Sequence, residues 1–99
     1  MYHSKLASEQ TDALCEALVA VKTKEEAYRL LDDLCTISEV QAMGQRLAVA
    51  RLLNKGATYQ DIAGQTGAST ATISRVNRCV SYGADGYKII LKRLEREER

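Results

Sequence analysis

Ninety-nine residues, 45% of them hydrophobic and 27% charged, have the composition of a single globular domain and exclude a disordered chain. With no Phe and no Trp, the core must come from Leu, Ile, Val, Ala, Met and Tyr, and a domain this small often gains stability by pairing with a copy of itself. The formal charge of +1 hides an asymmetry: residues 1–39 set four bases against eight acids, whereas residues 40–84 set five bases against Asp61 alone.

The opening stretch, MYHSKLASEQ, lacks the basic start and apolar run of a secretory signal, and no apolar run reaches the roughly 18 residues of a membrane span. The expected location is the cytoplasm, with no membrane partner. Pro is absent and apolar residues recur at helical spacing, so the chain reads as all-α. Ala13, Leu14, Ala17, Leu18 and Val21 form a first stripe. Thr23 with Glu26 supplies a capping box, after which Ala27, Leu30, Leu31 and Leu34 form a second stripe, as of two helices packed in sequence.

Ser38 with Gln41 marks another start, and a long helix should run from there to about Lys55, where Gly56 stops it. Val40, Met43, Leu47 and Ala50 mark one face of this helix, and Val49, Leu52 and Leu53 another. A helix that is apolar on more than one side must be covered on more than one side. A few short helices of one chain can hardly do so, and a partner subunit threaded around it is the economical explanation.

YQDIAGQTGASTATISR, residues 59–75, has the spacing of two short helices folded on each other. Thr58 with Asp61 caps a helix over 59–66, Gly67 takes the left-handed corner, and Ser69 caps a second helix over about 70–80. Ala63, four residues before Gly67, lets the second helix approach the first, and Ile73, six residues after it, plugs the angle. This is the pattern of a helix-turn-helix over about residues 58–80. Ile73, Val76 and Val80 point inward, leaving Thr70, Ala71, Ser74, Arg75 and Arg78 outward or sideways, with no acid from Ile62 through Ala84. Short side chains bring the backbone close to base edges, methyl groups meet a thymine methyl, hydroxyls bond bases or phosphates, and arginines pair with phosphate or guanine. The open N-terminus of the helix also favours a phosphate. A plain helical hairpin with a glycine corner is the bland alternative, but a decorative surface would share both signs of charge. The last helix follows the Gly-rich joint YGADG, with Tyr87, Ile90, Leu91 and Leu94 on one face and a solvated, charged end, EREER.

GASTATISR, preceded by MGQRLAVARLLNKG, resembles the Trp repressor superfamily, in particular its Trp-repressor-related bacterial members, over about residues 37–94. The resemblance implies one Trp-repressor-like domain over residues 1–99, forming an intertwined all-helical homodimer. It also implies that two recognition helices enter successive major grooves of palindromic double-stranded DNA, as in a repressor-type transcriptional regulator. The DNA-contacting positions would fall on Ser69, Thr70, Ala71 and Ser74, with Arg78 near the phosphates. The Trp repressor proper holds its corepressor between two arginines, matched here by Arg46 and Arg75 with Thr72 beside them. Val76 replaces the glycine after the second arginine; its branched side chain crowds the place of an indole and argues against tryptophan as effector.

Two other function classes compete. Catalysis is poorly supported: His3 is the sole histidine and lies near the chain start, and the acid pairs Glu25/Glu26 and Asp32/Asp33 fit solvated helix faces. Cys15, Cys35 and Cys79 form no Cys-x-x-Cys pair, so neither a disulfide framework nor a zinc site is indicated, and buried structural thiols are expected. No resident cofactor or metal is expected. The stronger rival is a helical homodimer whose basic face binds an acidic protein partner.

Overall fold

The computed structural model describes residues 2–97, so of the charged end only Glu98 and Arg99 lie outside the described residues. Six helices and no strand are present among them. The chain divides into two compact units, Met1–Ile37 and Ser38–Arg99.

The first unit holds α1 (Glu9–Ala20) and α2 (Lys24–Leu34). Ser8 caps α1, its side chain accepting from the Thr11 amide at 3.0 Å, while Glu9 and Asp12 sit in the first turn, where acids suit the helix dipole. Thr23 caps α2 and accepts from the Glu26 amide at 3.1 Å. Glu26 reaches back one residue beyond the usual capping box, and its carboxylate accepts from the Lys22 amide at 2.9 Å. Neither helix buries a residue, and the apolar stripes stand partly open: Leu18 is 50% exposed and Leu34 52%.

The second unit contains α3 (Ile37–Asn54) apart from its first residue, together with α4 (Tyr59–Thr66), α5 (Thr70–Tyr82) and α6 (Gly86–Glu97). Helix α3 starts before Ser38, which therefore lies in its first turn and does not precede the helix as the sequence suggested. Thr36 with Glu39 repeats the Ser/Thr-x-x-Glu pattern two residues earlier, which accounts for the displacement. The core joins Val49 and Ala50 of α3, Ile62 of α4, Ala68 of the turn, Ile73 and Val76 of α5 and Leu91 of α6. Leu47, Leu52, Leu53, Ala63, Val80, Tyr87 and Leu94 pack around it. The two adjacent buried residues of α3 lie about 100° apart around the helix, which explains why its apolar surface covers more than one side.

The cysteines depart from expectation. Cys15 and Cys79 are exposed and Cys35 is half-buried, all three as free thiols. In α5 the core claims Ile73, Val76 and Val80, and Cys79, about 100° around the helix from Val80, falls on a flank outside that stripe.

Candidate nucleic-acid interface

The candidate interface is built by two short helices and the corner between them. Thr58 caps α4 by accepting from the Asp61 amide at 3.1 Å. At the far end Gly67 has φ 73° and ψ 6°, the left-handed conformation that an added Cβ would strain, and its amide donates to the Ala63 carbonyl. Thr66 ties the corner together: its hydroxyl donates to the Ile62 carbonyl at 2.7 Å and accepts from the Ala68 amide at 3.2 Å. From α3, Gln45 Nε2 donates to the Thr66 carbonyl at 3.2 Å, satisfying an oxygen at the end of α4.

The corner delivers α5 with its orientation fixed. Ile73 is fully buried and Val76 is 1% exposed, both in the core that contains Ile62 of α4. With that face inward, Ser69, Thr70, Ala71, Ser74, Arg75 and Arg78 are all exposed. Thr70, Ala71, Ser74 and Arg78 lie within about 100° of one another around α5, while Arg75 stands further round beside Thr72. Ser69 also caps α5: its oxygen accepts from the Thr72 amide at 3.1 Å and its hydroxyl lies 3.1 Å from Thr72 Oγ1. Nothing acidic occupies the first turn of α5, so its N-terminal dipole faces outward uncompensated.

The three positions matched to an effector site are less alike. Arg75 is exposed, Thr72 half-buried and engaged with Ser69, and Arg46 half-buried on α3. Val76 lies one turn after Thr72 with its side chain inside the core, so its methyl groups fill the space that a glycine would leave.

One contact was not legible in the sequence. Asn77 Nδ2 on α5 donates to the Tyr59 hydroxyl on α4 at 3.1 Å, linking residues 18 apart. The only trace of it in the sequence is that Asn77 continues the Thr70–Ser74 stripe, at i, i+4 and i+7. Among the described residues no three of His, Cys, Asp and Glu are grouped to hold a metal ion, and no helix is long and apolar enough to cross a membrane.

The family model for the Trp repressor protein matches residues 9–95, spanning both units of the chain. The chain belongs to the Trp repressor family. Among its relatives, the uncharacterized protein YerC of Bacillus subtilis is 50% identical over 98 residues, covering 99% of this chain and 94% of that one. The crystal structure of a presumed Trp repressor from Staphylococcus aureus matches with a TM-score of 0.87 at 45% identity, over 92% of this chain and 91% of the other. A TrpR-like protein from Eubacterium eligens gives the same TM-score at 47% identity, over 92% and 94% of the two chains. Membership of the Trp repressor family points to a DNA-binding regulator.

Proposed function

We propose that the protein is a homodimeric, cytoplasmic, sequence-specific transcriptional regulator of repressor type, whose α5 enters the major groove. The observation that carries this reading is the exposed, acid-free face of Ser69, Thr70, Ala71, Ser74, Arg75 and Arg78 on a helix held by buried Ile73 and Val76. Thr70, Ala71 and Ser74 read base edges with small groups, Arg78 meets phosphate, and Ser69 caps the helix start with a side chain small enough for close approach.

The homodimer rests on the apolar surface that one chain leaves uncovered. Neither α1 nor α2 buries a residue, and Leu14, Leu18, Val19, Leu34, Ile37, Met43, Ile89 and Ile90 remain exposed. So much open apolar side chain on a small domain is the mark of an association surface, and a second copy supplies the matching stripes. Two-fold symmetry then presents two copies of α5 to half-sites about one helical turn apart.

Arg46, Thr72 and Arg75 are proposed as contacts for an anionic small-molecule corepressor. The buried branched side chain of Val76 argues against tryptophan in that role. The test of the whole reading is selection of binders from randomised duplex DNA at near-physiological salt. Enrichment of a two-fold symmetric site is the expected result. Failure to enrich any sequence, from folded dimer with and without metabolite extract, would overturn it and turn attention to an acidic protein as the ligand of the basic face.

A further inference from the structure

Asn77 and Tyr59 place a neutral hydrogen-bonding pair beside the face assigned to DNA. Asn77 follows Thr70 and Ser74 on one stripe of α5, about 10 Å along the helix axis from Thr70. That distance is comparable with the roughly 12 Å width of a major groove, so a helix whose first turn meets base edges brings this part of its surface to the groove wall, where the phosphates run. Tyr59 opens α4, and in this class of motif the first helix crosses the sugar-phosphate backbone. Tyr59 is 38% exposed, and its phenol oxygen accepts from Asn77 Nδ2 at 3.1 Å. A phenol that accepts from an amide keeps its own proton to donate, and the amide restricts the directions in which that proton points.

We propose that the Tyr59 hydroxyl donates a hydrogen bond to a DNA phosphate and that Asn77 is the positioning residue that aims it. The inference deepens the DNA-binding reading above and rests on it. The pair carries no charge, which separates its signature from that of the arginines. Loss of an arginine on phosphate reduces the number of counterions released, whereas loss of a neutral donor does not. Tyr59 therefore contributes affinity without sequence preference and without salt dependence.

The experiment measures affinity for two duplexes of unrelated sequence over a range of salt concentrations, for the full-length wild type, Tyr59→Phe, Asn77→Ala and the double variant, with melting temperature recorded for each. Tyr59→Phe is expected to bind about tenfold more weakly, the size of one hydrogen bond to a charged group, with the salt slope and melting temperature of the wild type. Asn77→Ala is expected to weaken binding less, and to add nothing once Tyr59 is Phe. Wild-type affinity in Tyr59→Phe would overturn the proposal. So would a loss that changes the salt slope, that depends on duplex sequence, or that follows a fall in melting temperature, since the pair would then act through the fold alone. Arg78→Ala in the same assay separates the levels: a defect there with Tyr59→Phe intact removes the hydroxyl contact but keeps the DNA reading, while no duplex binding by the wild type removes both.

Discussion

Gln45 on α3 donates from Nε2 to the main-chain carbonyl of Thr66, 21 residues away, at 3.2 Å. This bond joins the long helix to the corner of the α4–α5 pair at an oxygen that α4 itself leaves without an intrahelical partner. Gln45→Ala should lower unfolding stability by about 1 kcal/mol, read as a lower urea midpoint at unchanged slope. An unchanged midpoint would mean that water replaces the amide without loss.

Gly67 has φ 73°, so Gly67→Ala forces a Cβ into the left-handed region. The expected cost is about 1 kcal/mol, measured in the same denaturation assay. No atom lies within 4 Å of where that Cβ would stand, so the penalty is conformational and should appear without any sign of overpacking.

Ala71 is exposed on the second residue of α5. Ala71→Asp places a carboxylate against base edges and phosphates and should abolish DNA binding, while the oligomeric state and melting temperature stay nearly those of the wild type. Equal duplex affinity in the variant would remove α5 from the interface.

Arg78 is exposed two turns further along the same side of α5. Arg78→Ala should weaken binding to every duplex by a similar factor and reduce the slope of log affinity against log salt by about one. A loss confined to one sequence would make Arg78 a base reader.

Val19 and Ile37, at 85% and 79% exposure, stand on the apolar surface assigned to a second copy. Light scattering should give a dimer at micromolar concentration, and the melting temperature should rise with protein concentration because dissociation accompanies unfolding. A monomer with a concentration-independent transition would overturn the dimer.

The sequence by itself determined the helices and most of their ends. Thr23, Thr58 and Ser69 each cap the helix that their spacing announced, because a cap is a contact with an amide only two or three residues away. The inward stripe of α5 was equally local, since Ile73 and Val76 repeat at the helical period. The start of α3 was misplaced because Thr36 and Ser38 offer similar capping patterns two residues apart, and spacing alone does not rank them. Burial of the cysteines was misjudged for a related reason: a thiol is compatible with a core but does not compel one, and the stripes of α1 and α5 pass beside Cys15 and Cys79. Only the tertiary structure decided that Asn77 meets Tyr59 and that Gln45 meets Thr66. Those partners lie many turns apart in the chain, and the angle at which packed helices cross, which no local spacing encodes, sets which polar side chains come within hydrogen-bond reach.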